Sequence, residues 1–377
     1  MFKAPKMKKK ILFYTDTPIY GGAEKQALLL AKFVDQNKYE ITLCTSKNPA
    51  LKEWQNEFKA LGLKTIEIDA KHKHDPRHYF AVKKILKSGA FDLLHCHIWN
   101  PASCRYALQA AINAKTPIVS TEHDPFALTG LKSTIKRHQL QKIDQIICIS
   151  EHNLNLMKEL YPEATEKLNL IANGIDIEEF TNKLQKAKAD KSDNSNMQNT
   201  RVITCIAALH ERKGVDLLIE AFAVFAKLNP NYKLLIAGSG PEAQNLKALA
   251  VKLAVNQQVL FLGQLQDIPQ LLASSDFFVL PSRREAFGLV LLEAMCAQLP
   301  ILATKTGGIT EILSDDEAVL VEANSSTALL NGLTALTSQS NEQITQKNRN
   351  TLKKLQSEFS AKKMAEKTER VYDKTIR

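Results

Sequence analysis

Short apolar runs alternate with helix-like segments along this chain, and the alternation starts twice. In the first half the runs are Lys10–Tyr14, Glu40–Cys44, Thr65–Ile68, Leu93–His97, Ile118–Thr121 and Gln145–Ile149. Helical patterns such as Glu24–Val34 and Trp54–Leu61 lie between them. Runs this short, separated by helices, read as strands of a parallel sheet, because a parallel pair needs a crossover long enough to hold a helix. A polar stretch follows, Gln185–Thr200, with almost no large apolar residue. It reads as an exposed loop or an insertion between domains. The alternation then restarts with Val202–Ala207, Lys233–Ala237, Gln258–Leu262, Phe277–Leu280, Ile301–Ala303 and Ala318–Val321. The expected architecture is α/β, with two doubly wound halves and ligand sites at the carboxyl ends of the strands. Residues 341–377 are polar and helical in character.

A chain of 377 residues with 44% hydrophobic content can build two such cores. Its net charge of +10 is lopsided. Residues 1–172 carry 26 basic against 17 acidic side chains, and the remainder 24 against 23. A basic half attracts nucleic acid, anionic lipid or a phosphorylated acceptor. Nucleic acid is disfavoured, because no aromatic residues interleave with the basic clusters as a stacking platform requires. The six cysteines form no C-x-x-C pair and read as buried hydrophobes in a reducing compartment. The apolar run Ile11–Tyr14 is too short for a signal peptide, and no run approaches the ~18 residues of a membrane span. A cytoplasmic protein is expected, with any membrane contact at the surface.

Several constellations could carry chemistry. Glu285 and Glu293 frame Phe287-Gly288-Leu289 and an apolar run. If the run is a helix, eight steps bring both acids to about the same face. A helix starting near Gly288 would offer its first N–H groups to an anion. That suits a ligand with a charged centre and hydroxyls at both ends; the plainer reading is a solvated helix face. Gly21-Gly22-Ala23-Glu24 opens a helix after the first strand, where glycines allow a phosphate to come close, or simply make the turn. Arg212 and Lys213 could neutralise a diphosphate leaving group, or be solvated.

Gly238-Ser-Gly240-Pro-Glu-Ala243 matches a dinucleotide fingerprint and would favour a nicotinamide-dependent dehydrogenase. Pro241 removes one N–H from that cradle, and the next strand ends in Gly263-Gln264 rather than an acid. His95 and His97 straddle Cys96; alternation is expected to point one into the core and the other to the opposite side. His123 sits just past a strand. His72, His74 and His78 read as a solvated basic loop rather than a metal site. Lys132–Lys142 reads either as a basic amphipathic helix for a membrane surface or as an ordinary surface helix.

In order along nearly the whole chain, these elements resemble the family-4 glycosyltransferases of the GT-B fold. The resemblance rests on Gly21-Gly22-Ala-Glu24, His97 in Leu-Leu-His-Cys-His-Ile, His123 in Ser-Thr-Glu-His-Asp, Ser150 after Ile-Cys-Ile, and Asn173-Gly174-Ile-Asp176. It continues through Arg212-Lys213-Gly214, Ala237-Gly238-Ser-Gly240-Pro, Pro281-Ser282, the acid pair Glu285…Glu293, and Thr306-Gly307-Gly308-Ile-Thr-Glu311. It implies two Rossmann-like domains facing across a cleft: an acceptor-side domain, 1–172, and a nucleotide-sugar domain, 173–355. A last helix, 356–377, would cross back to the first domain.

The resemblance further implies that Glu293 holds the ribose hydroxyls and Glu285 the sugar hydroxyls. Lys213 would pair with the diphosphate, Gly22 approach it, and His123 touch the donor sugar near the reacting carbon. The implied catalytic set is Glu285, His123 and Lys213. The implied substrate-binding set is Gly21, Gly22, His97, Arg212, Gly238, Gly263, Ser282, Phe287, Gly288, Leu289 and Glu293. Family members retain anomeric configuration and are usually metal-independent, and the chain has no D-x-D motif. The implied partners are a UDP- or GDP-sugar and a glycan or glycolipid acceptor, with no cofactor. One position departs from the pattern: the arginine that usually clamps the diphosphate is Ala208. A non-catalytic sugar-binding protein of the same fold therefore stays open beside the dehydrogenase.

Overall fold

The computed structural model describes residues 7–89, 91–189 and 200–376. They form two compact units. Unit 1 holds the chain up to Gly174 and from Ala361 onward; unit 2 is Ile175–Ser360.

Unit 1 runs β1 (Lys9–Tyr14), α1 (Gly22–Phe33), β2 (Tyr39–Ser46), α2 (Lys52–Ala60), β3 (Lys64–Ile68), α3 (Arg77–Gly89), β4 (Leu93–Ile98), α4 (Arg105–Ala114), β5 (Ile118–Glu122), α5 (Gly130–Lys142), β6 (Gln145–Cys148), α6 (Glu151–Leu160) and β7 (Leu168–Leu170). Unit 2 runs α7 (Ile177–Ala189), β8 (Arg201–Ile206), α8 (Val215–Leu228), β9 (Tyr232–Ala237), α9 (Ala243–Lys252), β10 (Val259–Gly263), α10 (Ile268–Ala273), β11 (Phe277–Leu280), α11 (Leu289–Cys296), β12 (Ile301–Thr304), α12 (Ile309–Ile312), β13 (Val319–Val321), α13 (Ser326–Thr337) and α14 (Asn341–Glu358). The last helix, α15 (Ala361–Thr375), belongs to unit 1.

The strand orders are β3-β2-β1-β4-β5-β6-β7 and β10-β9-β8-β11-β12-β13, and every pairing is parallel. Each order reverses once, between β1 and β4 and between β8 and β11. These are the places where crossovers diverge and a ligand crevice opens at the carboxyl ends. Both sheets are Rossmann-like, as the alternation of apolar runs required.

Period-two alternation sorts the core of unit 1 into two layers. Leu12, Tyr14, Cys44, Leu94 and Cys96 pack on one face. Ile11, Phe13, Ile41, Leu43 and Leu93 pack on the other, with Trp54 and Phe58 of α2 and with Met364, Val371 and Tyr372 of α15. Burying a large apolar side chain contributes roughly 1.5–3 kcal/mol. The buried face of α15 therefore explains why the chain's last helix stays on the first sheet. All six cysteines are buried and free. No helix among the described residues is long and apolar enough to cross a membrane.

The structure corrects three sequence readings. β7 was not expected; at three residues it is too short to show alternation. Residues 185–189 of the expected polar loop are the last turn and a half of α7, while 190–199 lie outside the described residues. Helix α5 does not present all of its basic residues to the surface. Lys136 is buried with side-chain exposure of 3%, and donates to Glu122 (1% exposed) at 2.6 Å. Leu131, in its first turn, is 76% exposed. Lys136 therefore balances a buried acid at the end of β5.

Removing one partner of such a pair leaves an uncompensated buried charge. Lys136→Met should cost about 3–5 kcal/mol in urea unfolding. The double variant with Glu122→Gln should recover most of that loss. An unchanged midpoint in the single variant would contradict the pairing.

Candidate active site

In unit 1 the first crossover leaves β1 through Thr15, Asp16 and Thr17, all buried. Gly21 caps α1 with extended backbone, and its N–H donates to Glu24 Oε2 at 3.0 Å. Glu24 is 3% exposed, and its Oε1 is buried without a hydrogen-bond partner. Burial lifts its carboxyl to about 7, although the Thr17 hydroxyl and the Gly21 N–H favour the charged form. Gly22 is the exposed first residue of the helix. Neither glycine is forced by a left-handed φ, so their contribution is smallness at an open helix start.

The histidine expectation fails in a specific way. Positions two apart on a strand share a face, so His95 and His97 lie together and Cys96 faces the other layer. The two rings stack with centroids 4.4 Å apart, and His123 stacks on His97 at 5.8 Å. His95 is locked between Tyr372 Oη at 2.6 Å and Thr121 Oγ1 at 2.8 Å. Both ring nitrogens of His97, and Nε2 of His123, are buried without a partner. Burial pulls His123 down to about 4 and His95 to about 3. Burial, then its two ring neighbours, hold His97 well below its usual value. All three are neutral imidazoles near pH 7. His78, read as part of a solvated loop, is instead buried, with Nδ1 2.8 Å from Tyr14 Oη.

In unit 2 the acid pair is split between the loop from β11 to α11, which carries Glu285, and α11 itself, which carries Glu293. Helix α11 starts at Leu289 with Gly288 as its cap, as expected. Glu285 is not on that helix, so helical periodicity does not relate it to Glu293. Glu285 Oε2 accepts from Lys213 Nζ, and from Ser282 Oγ at 3.0 Å. Glu293, within α11, is 6% exposed. Phe287 is buried against Phe359, with ring centroids 5.9 Å apart, so its side chain is structural. Leu289 is half-buried at the helix start.

Neighbouring loops fix this arrangement. The Arg212 carbonyl accepts the N–H groups of Arg283 at 2.8 Å and Arg284 at 3.2 Å, and the Arg212 side chain is exposed. Arg283 donates two bonds to Asp216, at 2.7 and 2.6 Å. Gly307 has φ +50, and a Cβ there would lie 1.9 Å from the Glu285 carbonyl oxygen. Gly238 has φ +142, and a Cβ there would lie 1.9 Å from the Ala207 carbonyl oxygen. Gly238 is therefore explained by loop-on-loop packing, without a pyrophosphate beneath it. Gly263 has φ +69, and its carbonyl accepts from Gly238 N–H at 2.7 Å.

Thus the expected site residues fall into two sets. Gly21, Gly22, His97 and His123 gather at the carboxyl edge of the first sheet. Lys213, Ser282, Glu285 and Gly288 gather at that of the second, and Glu293 follows within α11. Sequence reasoning missed Asp16, which accepts from Cys104 N–H at 2.7 Å and Trp99 Nε1–H at 3.0 Å. Burial raises it to about 6. Its signal was available: an acid directly after a buried strand, where α/β ligands bind. Among the described residues no three His, Cys, Asp or Glu gather as a metal site.

Two families match the chain. Glycosyltransferase Family 4 matches residues 20–179, and Glycosyl transferases group 1 matches residues 185–354. The N-acetyl-alpha-D-glucosaminyl L-malate synthase of Bacillus anthracis is 27% identical over 321 residues, covering 83% of each chain. An Escherichia coli UDP-Gal:alpha-D-GlcNAc-diphosphoundecaprenol alpha-1,3-galactosyltransferase is 25% identical, covering 89% of each. Among solved structures, Anabaena HepE in complex with UDP-glucose superposes with a TM-score of 0.81 at 20% identity, over 97% of this chain and 99% of that one.

Because its folded-state pKa is raised, Glu24 favours the fold below about pH 4.5, and that advantage is lost as pH rises through about 7. Glu24→Gln should therefore gain stability over the wild type between pH 5 and pH 8, on the order of 3 kcal/mol at the upper end. Thermal unfolding across that range measures it. A pH-independent difference would contradict the burial assignment.

Proposed function

From the premise that the chain belongs to the family-4 glycosyltransferases, and is an enzyme of that class, we propose a donor, a mechanism and an acceptor class. The donor is a nucleotide-diphosphate hexose, held by unit 2. The observation that carries this is the Lys213–Glu285–Ser282 cluster beside the start of α11. A cation held at an acid, next to the N-terminus of a helix, can turn to a diphosphate when one arrives, leaving the acid for sugar hydroxyls. Glu293 takes the ribose hydroxyls. HepE, of the same fold, is a structure with UDP-glucose, and the Escherichia coli relative is named for UDP-Gal. A uridine nucleotide is therefore the first donor to test.

Transfer proceeds with retention and without metal. The departing phosphate oxygen takes the acceptor proton on the face it leaves, so the protein's task is to position reactants and take up leaving-group charge. His123, neutral at pH 7, contributes a hydrogen bond rather than a charge. The acceptor is a hydroxyl of a cell-envelope glycan or glycolipid bearing acid groups. The basic first half supports this. So do the relatives, one named for L-malate and the other for a diphosphoundecaprenol-linked sugar. Such an acceptor places the enzyme in the cytoplasm, at an anionic membrane surface.

Glu293→Ala should raise the donor KM about tenfold with kcat held. Lys213→Ala should lower kcat by about 10²–10³, as loss of one charge-stabilising donor does elsewhere. Unchanged kinetics in both would overturn the donor assignment. Ala208 is exposed, so an arginine fits there. Ala208→Arg should tighten UDP binding severalfold by calorimetry. A screen of UDP-, GDP- and ADP-sugars, scored by thermal shift and slow hydrolysis with and without EDTA, names the donor. EDTA-sensitive hydrolysis would refute metal independence.

A further inference from the structure

The basic loop before α3 is built rather than loose, and it meets two other segments at the carboxyl edge of the first sheet. Asp75 accepts from Lys71 N–H at 3.0 Å, and Asp75 N–H donates to the His72 carbonyl at 2.9 Å. Lys73 Nζ lies 4.6 Å from the Trp99 ring centroid and donates to Asn100 Oδ1 at 3.4 Å. Tyr106 Oη donates to the His74 carbonyl at 3.2 Å, and Arg105 Nη2 donates to Tyr106 Oη, also at 3.2 Å. Gln139 of α5 donates to the Arg105 carbonyl at 2.7 Å. Lys132, in the first turn of α5, is close enough to act electrostatically on both Lys73 and His74. Three cations, Lys73, Arg105 and Lys132, are thus brought together from three crossovers.

None of the three is in an ion pair among the described residues, whereas other cations of unit 1 are. Arg77, the first residue of α3, pairs with both acids of the loop before it, Asp69 and Asp75. Lys136 has Glu122, and Arg137 has Glu163. Arg105 also carries a buried Nε without a hydrogen-bond partner. Asp16 faces Lys73, and both of its oxygens already accept, from Cys104 and Trp99. Lys73, Arg105 and Lys132 leave a local excess of positive charge, and like charges so gathered cost energy unless an anion joins them. Each of two aromatic rings carries one of the cations, Trp99 under Lys73 at 4.6 Å and Tyr106 under Arg105 at 4.7 Å, which holds the charged heads in place.

We propose that Lys73, Arg105 and Lys132 form an organophosphate site in unit 1, which seats the phosphate of a monoester or of a diphosphate diester. The site's assignment as the acceptor subsite rests on the glycosyltransferase reading; phosphate binding itself does not.

The test is calorimetry on the full chain with inorganic pyrophosphate and with methyl phosphate, each titrated in the presence of excess UDP. Wild type should bind one equivalent of at least one probe. Arg105→Gln and Lys73→Gln should each weaken it tenfold or more, while Lys73→Arg stays within threefold and UDP affinity is preserved. Tighter pyrophosphate binding would point to a diphosphate-linked acceptor, and tighter methyl phosphate binding to a monoester. No binding of either probe, or equal binding by the glutamine variants, overturns the site. Should Arg105→Gln fail to fold, the exposed Lys132→Gln carries the same comparison. Arg105-dependent phosphate binding by a protein that binds no UDP would keep this site and overturn the donor assignment instead.

Discussion

Parallel pairing is the constraint on which the rest depends. Every strand of both sheets runs the same way, so each return crossover must cover a sheet face. The faces are then closed to water, and polar chemistry is left to the strand ends. Residues at the carboxyl ends of the strands carry nearly all the reactive groups: Asp16 after β1, His97 on β4, His123 after β5, Lys213 after β8, and Ser282 and Glu285 after β11. The amino ends hold pairs that tie strands to loops, such as Asp92 accepting from Lys10 N–H and Asp276 accepting from Val202 N–H. One edge of each sheet is chemical and the other is mechanical.

The architecture was legible because parallel strands buried on both faces write themselves as apolar runs. Those runs, Phe277–Leu280 among them, need no tertiary information to be seen. What stayed hidden depended on contacts distant in sequence. Lys136 looks like any surface lysine until Glu122, fourteen residues earlier, is placed beneath it. His95 and His97 were assigned to opposite faces by misapplied alternation; the stack and the Tyr372 bond, 277 residues away in sequence, show their shared face. Glu285 and Glu293 are related by a loop and a helix rather than by a helix alone, and the spacing of eight could not distinguish the two. Gly238 imitated a dinucleotide cradle because close backbone approach needs glycine whether the neighbour is a phosphate or another loop.

The two chemical edges are stabilised differently. In unit 2 the polar groups satisfy one another: Lys213 with Glu285, Ser282 with Glu285, Arg283 with Asp216, and Thr304 Oγ1 with the Ser282 carbonyl at 2.6 Å. Such a network holds its shape and exchanges partners when a charged ligand enters. In unit 1 the polar groups are buried but incompletely paired. His97, His123, Glu24 and Arg105 each keep a buried atom without a partner, and Asp16 and Glu24 are pushed toward neutrality by burial.

An unpaired buried polar atom costs about 1–3 kcal/mol. Four residues bearing such atoms on one sheet edge are therefore a sizeable liability against a total stability of about 5–15 kcal/mol. A sequence selected for folding alone would replace these residues with apolar ones, since that substitution is often neutral or stabilising. Retaining them on the edge where α/β folds bind ligands, beside three unpaired cations, is economical only if a polar, anionic molecule completes the hydrogen bonds. Local stability is given up in unit 1 to keep neutral imidazoles and unneutralised cations in fixed positions, and groups held in place beforehand need little reorganisation when a polar ligand binds.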